Sequence, residues 1–201
     1  MRLAPENTTL ARTSRLLHGS APTSALTSGL ILLGCSLLTA VCVTMVDLSL
    51  RIPGHAILRS ILPITLGLAL VPRHGNGSLL SGLSLLFAGG LMSLRWGESG
   101  MGALTSMALI GPSLDIATAT SRTGWGLYLR CGLAGVAANF AAYVVRAGSK
   151  AASWDSLGMR PLTEWWSGAA VTYALCGLIA GVLSACLWFG MSTRSQSPES
   201  P

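Results

Sequence analysis

The chain has 201 residues, 51% of them hydrophobic and only 10% charged, with a net charge of +6 from 13 basic and 7 acidic residues. A soluble domain carries about 25% charged residues, so this supply cannot cover a globular surface. That excludes an ordinary water-soluble fold and predicts an all-α polytopic membrane protein, a six-transmembrane-helix bundle. The 24 glycines agree, since glycine is more frequent in membrane helices than in soluble ones. No basic cluster with interleaved aromatics supports nucleic-acid binding, and the positive balance points instead to cytoplasmic loops and anionic lipid.

Residues 1–24 are polar, with Arg2, Arg12 and Arg15, and read as a flexible basic leader. The uncharged run 25–46 is long enough for a spanning helix at 1.5 Å per residue. A secretory signal would have a shorter apolar core, and the "LLGC" ending at Cys35 is only a loose lipoprotein box. Further apolar segments follow at 54–72, 78–94, 101–120, 126–145 and 167–190, before a polar tail at 191–201. "RIPGH", "PRHGNG", "RWGESG" and "SRTGWG" separate the first five, and a long polar stretch, 146–165, precedes the last. Trp96, Trp125, Trp165, Trp166 and Trp188 all fall near segment ends, the interfacial depth that amphipathic rings prefer.

With the N-terminus inside, Arg2, Arg12, Arg15, Arg73, Arg122 and Arg194 face the cytoplasm, against Arg51, Arg95, Arg146, Lys150 and Arg160 outside. The bias is small. The basic leader favours both termini cytoplasmic, in a bacterial inner membrane. All five cysteines lie in apolar segments without C-x-x-C spacing, so they read as small packing residues, with neither a metal site nor a disulfide framework.

Two charges lie inside apolar segments on either side of "SRTG". Asp115 and Arg130 are equally distant from the middle of that turn, so an antiparallel hairpin sets them level and predicts a structural ion pair. Pro112, after Gly111, kinks the fourth segment one turn before the aspartate. Arg59 has no acidic neighbour at its depth. Asn139 and Tyr143 on the fifth segment and Thr172 and Tyr173 on the sixth reach a similar level. The cluster is either snorkelling plus interhelical hydrogen bonds or a pocket for a small anionic or polar aromatic solute. Gly177, Gly181 and Ala185 form a stripe of small residues for a close helix contact, within the chain or with a partner subunit.

Enzyme chemistry finds little support. "GESG" at 97–100 matches the serine signature of rhomboid-type intramembrane proteases, but the nucleophile needs a histidine base. His18, His55 and His74 all precede the motif, whereas the base normally comes from a later helix. No paired glutamates, H-E-x-x-H or phosphate-cradling glycine loop is present, so neither catalysis nor a cofactor is expected.

Six short helices, a glycine-rich apolar body, very small loops and a polar cluster at one face resemble the substrate-binding S components of energy-coupling factor transporters. The stretch "RIPGHAILRSILPITLGLALVP" (51–72) and "ALIGPSLDIA" (108–117) are similar in style to helices two and four of that family, and the likeness runs over about 160 residues. The resemblance implies capture of a vitamin-like micronutrient from outside, with release driven by a transmembrane coupling subunit and paired ATPases. It places the ligand at Arg51, His55 and Arg59 with Asn139, Tyr143, Thr172 and Tyr173. It assigns the coupling face to Ala25, Gly29, Ser36 and Ala40. The other reading is a structural or assembly protein that packs beside membrane subunits and binds no solute.

Overall fold

The computed structural model describes residues 25–46, 53–119, 125–152 and 162–189. The leader, the tail and Arg51 lie outside the described residues. The protein is all-α, with six helices among the described residues: α1 (Ala25–Thr44), α2 (Ile57–Leu70), α3 (Asn76–Ser93), α4 (Met101–Ala119), α5 (Trp125–Ala152) and α6 (Leu162–Trp188). Helix α5 runs on past 145 into the polar stretch, because "RAGSKAA" contains good helix formers and no proline.

Helix α2 packs against each of the other five, which follow one another around it in the order α1, α3, α4, α5, α6. Its composition explains the central position. One face, Ile57, Ile61, Ile64 and Leu68, is buried among the neighbours, whereas Leu58, Leu62 and Leu66 on the other are partly exposed and Leu70 at its end is exposed. Ile57, Ile61 and Ile64 are fully buried, and Leu68 and Val71 complete the core with Leu80, Ile110, Leu114 and Cys131. Fourteen residues make α2 about 21 Å long. It tolerates Pro63 in its interior because neighbouring helices, not lipid, surround the freed backbone.

Two seams of glycine let backbones approach closely. A Cβ on Gly177 would stand 2.5 Å from the Gly135 carbonyl oxygen, and one on Gly181 would strike the Cys131 carbonyl. Gly177 and Gly181 are therefore spent on α5 within this chain, and Ala185 is fully buried in the core. The second seam joins α3 to α4, where a Cβ on Gly111 would collide with the Gly77 carbonyl and the Gly111 N–H donates to Ser81 Oγ at 2.9 Å. Ser36 and Ala40, expected on a coupling face, turn inward instead. Ser36 Oγ donates to the Leu80 carbonyl at 3.3 Å, and Ala40 packs with Val43, Ala88 and Met107. Their small size serves the α1–α3 contact. Ala25 is exposed, and the space beside Gly29 is open.

The outer faces are greasy. Leu26, Leu86, Ile116, Leu129 and Ile179 are each at least 60% exposed, so every helix of the outer arc shows large apolar side chains. Three helical segments, Ala25–Thr44, Trp125–Ser149 and Trp166–Trp188, are long and apolar enough to cross a membrane. Exposed Trp96 and Trp166 sit at one end of the bundle and exposed Trp125 at the other. Trp188 differs from an interfacial anchor: it is half-buried, and its indole N–H donates to the Leu62 carbonyl of α2 at 3.0 Å.

Candidate functional site

The end of the bundle that holds the α1 C-terminus and the α2 N-terminus is closed by the loop from α3 to α4. Just beyond the end of α3, Arg95 adopts a left-handed φ of 61° while the Trp96 N–H reaches back to the Leu91 carbonyl. The next residues then cross the end of α1. A Cβ on Gly97 would stand 2.8 Å from the Thr44 carbonyl, and the Glu98 N–H donates to that same oxygen at 3.2 Å. The crossing leaves a cavity of about 340 Å³ between α1, α2 and the loop, walled by Val43, Thr44, Val46, Arg59, Glu98 and Ser99.

Arg59 projects into it from the first turn of α2. One of its terminal N–H groups donates to the Val46 carbonyl, but Nε is buried with no hydrogen-bond partner. Ser99 Oγ, which lines the cavity from the loop, is likewise buried and unpartnered. No ion pair joins Arg59 to Glu98, so the cavity presents a cation from α2 and, from the loop, an anion and an idle hydroxyl. An unmet buried polar group costs about 1–3 kcal/mol, and two in one cavity amount to an unfilled demand for a ligand oxygen.

The other expected ligand residues do not share this cavity. Asn139 is buried, and its side-chain amide donates to the Gly54 carbonyl at 3.0 Å and the Tyr173 carbonyl at 2.7 Å. Gly54 has a φ of 89°, and a Cβ there would stand 2.9 Å from the Tyr173 Cα, so the "PGH" turn is clamped against α5 and α6. Tyr143 meets Tyr173 with tilted rings 5.7 Å apart and donates to the Trp166 carbonyl at 3.1 Å. Thr172 bonds within its own helix, to the Ala169 carbonyl. These side chains fill space and tie elements together. His55 lies in the clamped turn, is partly buried, and does not line the cavity.

The expected Asp115–Arg130 ion pair does not form. The Asp115 carboxylate instead accepts the Gly77 N–H at 2.9 Å, the Ser78 N–H at 2.8 Å and the Ser78 hydroxyl at 2.7 Å. It caps α3 from across the α3–α4 seam, where the helix dipole favours an anion. Arg130 points into a different groove, with Nη1 buried and unpartnered.

Glu98 was not legible as a site residue. Its only sequence signal was its place in a short polar loop facing the end of α1, a proximity that needs the fold. Compared with protein-family models, with curated proteins and with solved structures, the chain finds no match.

Proposed function

We propose that this chain is a membrane-embedded solute-binding protein, with all six helices inside the bilayer and the central α2 shielded from lipid by the other five. The cavity at Arg59 takes a small solute bearing a carboxylate or phosphate. Its anionic oxygens meet the Arg59 guanidinium and the Ser99 hydroxyl, and Glu98 faces a donor at the solute's other end. The single observation that carries this reading is the pair of buried, unpartnered polar atoms, Arg59 Nε and Ser99 Oγ, at one cavity.

The role is capture for an ATP-driven importer, as the likeness to energy-coupling factor S components implies, with both termini cytoplasmic and no catalysis by the chain itself. On that orientation the cavity opens outward. A coupling subunit then docks on the exposed side of α1, where Ala25 and Gly29 remain open, while Ser36 and Ala40 are already occupied by α3. The second reading, a structural protein without a solute, is favoured by the filled cluster of Asn139, Tyr143 and Tyr173, which leaves the cavity small and lateral.

The test is mass spectrometry of small molecules that co-purify with the detergent-solubilised protein, followed by thermal-shift titration of each compound found. A bound solute raises the melting temperature, and Arg59→Gln weakens its binding by about tenfold or more, the loss of a charge-assisted hydrogen bond worth about 1.5–3 kcal/mol. Wild-type affinity in Arg59→Gln would remove this cavity as the site. Purification free of any small anion or zwitterion would favour the structural reading.

A further inference from the structure

Arg130 has no role in the cavity described above. Among the described residues it meets no carboxylate, and its Nη1 is buried without a partner. It stands five residues into α5, about 7.5 Å along the axis from Trp125. Trp125 is 88% exposed and meets Tyr128 edge-on at 6.0 Å, which marks the interfacial depth at this end of the bundle. From Arg130 a groove of about 430 Å³ runs between α4 and α5. Small side chains, Ser113, Ala117, Ala134 and Ala137, open it, and the exposed Ile116 and Leu133 flank it. Ala117 lies nearest the helix ends, Ser113 and Arg130 stand about level, and Ala134 and Ala137 lie deeper on α5, so the groove has a cationic mouth and an apolar length.

We propose that this groove is a binding site for an anionic phospholipid. The phosphate takes the Arg130 guanidinium at the depth of Trp125, and one acyl chain lies along the small residues toward Ala137. Charge complementarity selects the occupant. A guanidinium left without a carboxylate pairs best with phosphate oxygens, which match its planar fork. A free phosphate would leave the deeper apolar wall bare, and a zwitterionic lipid brings a second cation beside Arg130. The proposal rests on α5 crossing the bilayer, for which it is long and apolar enough, and is independent of the Arg59 cavity.

Native mass spectrometry of the full chain in detergent, titrated with phosphatidylglycerol and separately with phosphatidylcholine of the same acyl chains, tests it. The wild type retains phosphatidylglycerol in preference to phosphatidylcholine. Arg130→Gln lowers phosphatidylglycerol binding about fivefold, the worth of one basic residue at an anionic leaflet, and leaves phosphatidylcholine binding unchanged. Ala137→Trp, which fills the groove but keeps the cation, also lowers it, and it decides the matter should Arg130→Gln fail to fold. Arg73→Gln, an exposed cation at the same end, retains wild-type binding. Wild-type phosphatidylglycerol binding in either folded groove variant overturns the proposal. So does equal wild-type binding of the two lipids, an equal loss in Arg73→Gln, displacement by inorganic phosphate, or a protein dimer that Ala137→Trp abolishes. Failure to find a solute at Arg59 leaves all of these readings unaffected.

Discussion

Three hydrogen bonds from the first turn of α3 hold the Asp115 carboxylate, two from backbone N–H groups and one from the Ser78 hydroxyl. A helix N-terminus leaves its first N–H groups without intrahelical partners, and an anion placed there satisfies both the donors and the dipole. Asp115→Asn keeps one acceptor oxygen but loses the charge and sets an NH2 against an N–H. We expect a loss of about 1–2 kcal/mol, within the range for helix N-caps. Adding Arg130→Gln restores none of it, because Arg130 takes no part in the cap. Thermal unfolding of the two variants in detergent checks this, and recovery in the double variant would reinstate the ion pair. That Asp115 needed company was legible in the sequence, because a carboxylate in an apolar run must be satisfied. Its partner was not. Counting residues from a turn sets depth but not direction, and each step along a helix rotates the side chain by about 100°. The same limit dispersed the expected cluster around Arg59. Asn139 and Tyr173 lie near its level but face the Gly54 turn.

At the scale of helices, small residues decide which surfaces meet. The α5–α6 seam brings the Gly135 and Gly177 backbones so close that a Cβ on Gly177 would sit 2.8 Å from the Gly135 carbonyl carbon. Backbone cannot rotate away as a side chain can. Gly177→Val should therefore force the two helices apart and destabilise the protein by about 1–3 kcal/mol or more, as overpacking does. Size-exclusion chromatography and the melting temperature in detergent report it, and an unshifted melting point would mean the seam is looser than the backbone distances require. The glycine stripe was visible in the sequence as a close-contact surface, but its partner was not, because a small residue specifies proximity and not identity. Ser36 and Ala40 make the same point on α1. They have the spacing of a docking face and turn out to serve α3.

For the molecule as a whole, the arrangement is one short apolar helix packed against five others whose outer faces are greasy. An exposed apolar surface of that extent is unstable in water and belongs against lipid. We expect the full chain to stay with the membrane pellet after extraction at alkaline pH, a treatment that strips peripheral proteins. Recovery in the supernatant would contradict residence in the bilayer. Composition and residue order determined the all-helical character, the number of helices and the membrane-compatible surface, because scarcity of charge and the spacing of breakers are properties of the chain in one dimension. Which helix stands at the centre, which glycines touch, what Asp115 caps and which polar atoms Arg59 and Ser99 leave unmet were decided only by tertiary structure. Those facts depend on the rotation of each helix about its axis, and that rotation is set by packing against all neighbours at once.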